Sequence, residues 1–382
     1  MGRVSGRTFA LICAGLLLLG GCGDAAADGA GSADPAWDTR SEEELYEGAL
    51  KEDVLVVYTV STRAVETKES FEKEYPGLFV EVRDLRSPNL IDEIESGHAN
   101  GQQVCDVVIC NDNSGEFKSR LVDTGIVVPY LPADIADHMT GAFADGTVSF
   151  LNEAELLLYS TAIHDACPVG NIWELTEEKY RGRIYMPNPL RSFSTYTLCG
   201  TSLAHADELE EAYRAYAGEV LTTADGLSAA EVFWKRVSEN IVFTNSSDEV
   251  AEALNDGTAD LGWCVSSKLR LAEVGYRLAP VYRLDPFSGC RTSYAVMMSA
   301  GSRNKNAAAL FIRYLLGGTA GGTGEGIRPF CTAGTWSVRD DIPDGNDVPL
   351  SGIDLIIPDQ EMLIGQREAI VSFWMDILRG RE

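Results

Sequence analysis

The chain has 382 residues, with 31 Lys plus Arg against 58 Asp plus Glu, a formal net charge of −27. That acid excess argues against nucleic acid as a partner, because phosphates demand the opposite sign. The length is more than one simple core holds, so two lobes are expected.

In chain order, Arg3 and Arg7 precede an apolar run from Phe9 to Leu19, and Leu19-Gly20-Gly21-Cys22 follows. A positive start, a short apolar stretch and small residues mark an export signal. The run is shorter than the roughly 20 residues that span a bilayer. Leu-Gly-Gly-Cys resembles a bacterial lipobox. Residues 1–21 are therefore read as a lipoprotein signal and Cys22 as the lipidated residue, anchored to a membrane rather than spanning it. Residues 22–40 are rich in Gly, Ala, Asp and Ser and read as a flexible tether.

The body alternates strand and helix. Asp53–Tyr58 is an apolar strand, Thr59–Arg63 a polar turn, and Ala64–Tyr75 a helix ended by Pro76-Gly77. Leu78–Arg83 is a second strand, Asn89–Ser96 a helix, and Asp106–Cys110 a third strand. Continuous apolar runs in this order indicate a parallel sheet covered on both faces. Ligands of such sheets bind beyond the C-terminal strand ends, here Thr59–Arg63 and Asn111–Asn113.

Val148–Ser160 reads as a strand, and Gly182–Met186 leads through Pro187–Thr195 to a helix from Tyr196. Val242–Thr244, a helix Ser247–Asn255 and Ala259–Val265 repeat the strand–helix–strand theme. Tyr294–Met298 is a strand, Lys305–Leu316 an amphipathic helix, and Asp359–Leu378 one helix with Phe373 and Trp374 on its apolar face. Cys105 and Cys110 flank one strand, about 17 Å apart in extended chain, which is beyond disulfide reach. The cysteines therefore read mostly as small buried apolar residues.

These segments together resemble the type II periplasmic binding proteins of ABC importers, nearest the group that binds ferric ion, phosphonates or sugar phosphates. The pieces are Leu55–Tyr58 with its polar turn, Cys105–Ile109, Tyr180–Pro189, Asn255–Gly262 and Asn304–Leu316. The resemblance implies an α/β, two-lobed fold. Each lobe is a mostly parallel sheet flanked by helices, and the ligand cleft lies between them. Lobe 1 is expected to be 41–146 plus 291–345. Lobe 2 with the hinge and C-terminal helix is 147–290 plus 346–382. It further implies a monomeric lipoprotein outside the cytoplasmic membrane that passes a small molecule to permease and ATPase subunits, without cofactor.

Ferric-ion binders of this group carry a tyrosine pair where this chain has Ser266-Ser267-Lys268, a His in the first turn and a Glu in the third. The first turn here is Val60-Ser61-Thr62-Arg63 and the third Asn111-Asp112, so no metal is expected. Lys268 would repel a bare cation. Arg191-Ser192-Phe193-Ser194-Thr195-Tyr196 resembles the hydroxyl-rich turn of phosphate- and phosphonate-binding relatives, with Phe193 where they have Gly. Hydroxyls at helix starts suit an anion. The expected ligand set is Ser61, Thr62, Arg63, Asn111, Asp112, Arg191, Ser192, Ser194, Thr195, Ser266, Ser267, Lys268 and Tyr294. The ligand is a phosphate-, phosphonate- or sugar-phosphate-like anion, with ferric iron as the alternative.

An enzyme is not expected: the sequence holds no Gly-x-Ser-x-Gly elbow and no Gly-Lys-Ser/Thr phosphate loop. A ligand-sensing lipoprotein partnering a membrane sensor kinase is the alternative from another class.

Overall fold

The computed structural model describes residues 37–111, 114–139, 141–144, 146–223, 226–322 and 324–380. The signal, Cys22 and most of the tether lie outside them.

The strands in chain order are β1 (Leu55–Thr59), β2 (Val80–Asp84), β3 (Val107–Asn111), β4 (Val127–Val128), β5 (Phe143–Ala144) and β6 (Thr147–Ser160). Then come β7 (Ile184–Pro187), β8 (Ile241–Thr244), β9 (Leu261–Val265), β10 (Leu278–Pro280), β11 (Gly289–Ser299), β12 (Trp336–Ser337) and β13 (Leu355–Ile356). The helices are α1 (Glu42–Ala49), α2 (Ala64–Glu74), α3 (Ser87–Ala99), α4 (Phe193–Leu203) and α5 (Ala206–Ala217). They continue with α6 (Ala229–Ser238), α7 (Ser247–Asp256), α8 (Lys305–Leu315), α9 (Gln360–Gly365) and α10 (Arg367–Arg379).

One sheet path runs β2-β1-β3-β11-β6-β9-β7-β8. β1 pairs parallel with β2 and β3, and β7 pairs parallel with β8 and β9. Between these two triplets lie the long antiparallel strands β11 and β6. The result is the mixed α/β, two-lobed architecture expected, with two parallel units joined through a pair of long strands. β1 and β3 are apolar almost throughout because both sheet faces are covered, one by α1, α2 and α8, the other by α3. The second triplet is likewise packed on both faces, with Trp173, Trp234, Trp263 and Trp374 on one side and Val250, Leu254 and Trp336 on the other.

The 359–378 segment is two helices, not the single one expected. Gln366, at φ −105° and ψ 10°, breaks it between α9 and α10. Leu363 and Ile370 press on Gly200 in the middle of α4, where a Cβ would collide with them. That close approach explains a glycine inside a helix. α9 and α10 also meet the loop after β3: Ile364 of α9 lies against Gly115, and Arg367 of α10 forms an ion pair with Glu116. None of the seven described cysteines forms a disulfide, and five of them are buried.

β6 and β11 approach so closely at Gly289 that a Cβ there would strike the Glu155 carbonyl. Gly289→Ala is expected to destabilise the fold by roughly 3 kcal/mol, the range for overpacking against backbone. Urea unfolding checks this; a loss below about 0.5 kcal/mol would mean the strand pair can separate freely.

Candidate functional site

Both parallel triplets aim the C-terminal ends of their strands at β6, and two acids on that strand organise what arrives there. Glu153 and Glu155 lie two positions apart, hence on one face and about 7 Å from each other. Both are buried. A buried carboxylate is costly without partners. Each glutamate takes its partners from a different side.

Glu153 is met by the turn after β1. Arg63 occupies the N-cap of α2 with no side-chain cap bond, and its Nη2 donates to Glu153 Oε1 at 2.7 Å. The guanidinium stacks on Phe330, 4.9 Å from the ring centroid. Its Nη1 is buried and has no hydrogen-bond partner. Tyr294 of β11 stands beside the pair, edge-on to Phe150. Its ring is partly exposed and its hydroxyl end is the buried part, so burial, then the Glu153 charge, holds the phenol protonated.

Glu155 is met by α4. Ser192 is the N-cap and accepts from the Thr195 amide at 3.4 Å. Thr195 Oγ1 lies 2.6 Å from Glu155 Oε1 and 2.9 Å from Ser192 Oγ, and Ser192 Oγ is 3.3 Å from Ser194 Oγ. Glu155 Oε2 is buried without a partner. Burial pushes the Glu155 carboxyl up to about 7; bonds from Thr195 and Ser194 hold it down in part, and the Glu153 charge adds to the rise.

The structure thus gathers Arg63, Tyr294, Ser192, Ser194 and Thr195 around β6. Other expected contacts serve elsewhere. Ser61 and Thr62 give α2 no side-chain cap; the Ser61 amide bonds Thr59 Oγ1 at 3.0 Å, and Thr62 is exposed. Asn111 Oδ1 accepts from Ser87 Oγ at 2.8 Å, and Asp112 lies outside the described residues. Arg191 reaches outward to Asn245 at 3.3 Å.

The expected ligand residues Ser266–Lys268 all have partners within the fold. Ser266 Oγ accepts from the Ala154 amide at 2.9 Å and donates to the Gly334 carbonyl at 2.5 Å, which ties chain segments together. The Ser267 carbonyl accepts from Arg270 at 2.6 Å. Lys268 is ion-paired with Asp248 in the first turn of α7, so its charge is already neutralised.

Sequence reasoning missed Glu153 and Glu155. Their signal is visible: two acids with period 2 inside the apolar run Phe150–Ser160. Among the described residues, the one His/Asp/Glu/Cys group close enough to hold a metal ion is His138, Asp340 and Asp341, and it includes none of the residues gathered around β6. No described helix is long and apolar enough to cross a membrane.

Residues 55–323 match the family described as bacterial extracellular solute-binding protein. No curated protein matches the chain. Among solved structures, the substrate-binding protein of an ABC transporter from Agrobacterium tumefaciens is similar at TM-score 0.64 and 15% identity, covering 87% of this chain and 97% of that one. The periplasmic binding protein AfuA from Actinobacillus pleuropneumoniae, bound to fructose 6-phosphate, gives TM-score 0.61 and 19% identity, covering 85% and 98%. Iron-bound HitA from Pseudomonas aeruginosa gives TM-score 0.60 and 14% identity, covering 85% and 99%.

The raised Glu155 carboxyl has a stability consequence with a definite sign. Its folded value lies above the unfolded one, so its contribution is complete below pH 4.5 and is lost as pH rises to about 7. Glu155→Gln removes that loss. The variant should gain roughly 3 kcal/mol relative to wild type between those limits. Denaturant titrations at several pH values test this; a constant difference would show that Glu155 ionises normally.

Proposed function

This chain belongs to the bacterial extracellular solute-binding proteins, the capture components of ABC importers, and we propose that its solute is a small anion that also carries hydroxyl groups, of the sugar-phosphate kind. The observation that carries the reading is the buried Arg63 Nη1, a cationic donor without a partner, on the same strand face as the hydroxyl-capped start of α4. A guanidinium fork and a helix N-terminus both suit phosphate oxygens. Glu153 suits a solute hydroxyl better than a second anionic group, which favours a polyol phosphate over inorganic phosphate.

In this reading residues 41–146 plus 291–345 form one lobe and 147–290 plus 346–382 the other. The two close on the solute by hinge motion. The chain works as a monomer outside the cytoplasmic membrane, held by acylated Cys22, and its cargo undergoes no reaction. Permease and ATPase subunits receive the solute.

Ferric iron is the second reading. It draws on the oxygen donors Glu153 and Tyr294, which stand together. Against it, Arg63 lies on the same carboxylate and repels a bare cation.

A thermal-shift panel separates the two. Fructose 6-phosphate, inorganic phosphate, methylphosphonate, sulfate and ferric citrate are each added to the purified protein. A true ligand at a hundredfold its Kd adds about 2.7 kcal/mol of stability. The expected result is a rise with the sugar phosphate that Arg63→Ala abolishes. A rise with ferric citrate alone, with a coloured complex, would replace the anion by iron.

A further inference from the structure

We propose that Glu116 and Arg367 form an ionic clasp between the two parallel units, which weights the chain toward its closed arrangement without touching the solute. The inference rests on the hinge motion of the proposed function and adds the contact that sets its balance.

The two partners belong to different cores. Leu363 of α9 and Ile370, Trp374 and Ile377 of α10 pack with residues of α4 and α6 in the core of the second unit. Tyr196 of α4 also donates to the Leu363 carbonyl at 3.3 Å. Phe117 and Leu121, which follow Glu116, pack with residues of α3 in the core of the first unit. From its base on α4, the corner between α9 and α10 reaches across to that first unit. There Ile364 lies over Gly115, and Arg367 pairs with Glu116. Gly115 has φ +76°, and a Cβ on it would meet the Gln360 carbonyl at 3.0 Å. The loop comes this close to α9 only because it carries glycine there.

A contact that opens and closes must leave little unsatisfied when it parts. Ile364 is 41% exposed and the Arg367 side chain 52% exposed, so water takes over both as the units separate. Glu116 has a second cation on its own side. Arg120, one helical turn on, lies 3.7 Å from it and also pairs with Asp92 and Glu95 of α3. Parting therefore strands no buried charge. A half-exposed pair of this kind shifts an equilibrium by about two- to fivefold. That is too little to lock the units together and enough to bias a hinge. Neither residue belongs to the Arg63 turn or the start of α4. The clasp thus acts on the population of the closed form, and the apparent Kd of a solute that needs this form rises as the population falls.

The test reads the distance between the units by single-molecule energy transfer in the solute-free protein. Dyes are coupled to azide-bearing amino acids at Glu69 of α2 and Lys235 of α6, both exposed, which spares the cysteines. Wild type is compared with Arg367→Glu and with the swap Glu116→Arg plus Arg367→Glu. Arg367 is the first residue of α10, where an acid suits the helix dipole, so the single variant should fold with the urea midpoint of wild type. Wild type should show a short-distance population, and Arg367→Glu should lower its ratio to the long-distance one about fivefold. The swap restores the pairing and should recover most of that ratio, which a merely structural loss would not do. A ratio that Arg367→Glu leaves unchanged, or that the swap fails to recover, overturns the clasp and leaves the hinge and solute readings standing. One and the same distance in all three proteins overturns the hinge motion, and the clasp falls with it.

Discussion

Two carboxylates buried on a strand that joins two sheets constrain everything around them. Glu153 and Glu155 sit in the middle of β6, where a chain built only for packing would carry leucine or valine. Both are buried, so the protein must supply much of what solvent would. Arg63 supplies a counter-charge to the first, and the α4 hydroxyls, aided by a retained proton, stabilise the second. These requirements locate the turn after β1 and the start of α4 relative to one strand. An Arg63 or a Thr195 displaced by a few ångströms would leave a buried acid without its partner, a far larger cost than an ordinary misplaced surface contact.

The rest of the fold makes that placement rigid. Each triplet delivers its turns at the C-terminal ends of parallel strands, and the apolar packing on both faces fixes those ends. Gly289 lets β11 lie tight against the carbonyl of Glu155. Ser266 bonds the β6 backbone to Gly334, and β12 pairs with β6 beside it. Three stretches of chain that are distant in sequence are thus fastened within a few residues of the acids. Backbone, not side-chain, partners do most of this fastening, and Ser266 is the side chain that links two of them.

That difference also separates what could be read from sequence and what could not. β1, β3 and β9 were legible because burial on both faces forces continuous apolar runs. The Ser192 cap was legible because capping is local. The ion pair of Lys268 was not legible because its partner, Asp248, stands twenty positions earlier, and only the fold brings α7 beside β9. Arg63 was singled out from its position after β1, but its partner Glu153 stands ninety residues away. The break at Gln366 follows from how α9 and α10 pack around α4, which no helical periodicity reveals. The acids themselves were visible as an interruption of an apolar strand, and such an interruption asks what could make the burial of a charge tolerable.

Charge at two length scales then bears on the proposed ligand. The chain is strongly acidic, so its far field opposes an approaching anion and gives no electrostatic steering to one. Selection must come from short-range contacts. At β6 the Arg63–Glu153 pair sums to zero, Glu155 is neutral below about pH 7, and the α4 start adds a partial positive charge. A site of that balance is poorly matched to a bare metal ion. It is also poorly matched to a polyanion, for which one partly compensated arginine is too little. In the proposed reading the solute brings a single anionic group to face Arg63 and α4, and hydroxyls for the remaining polar groups. The buried acids, costly as they are for folding, therefore limit the net positive charge around β6.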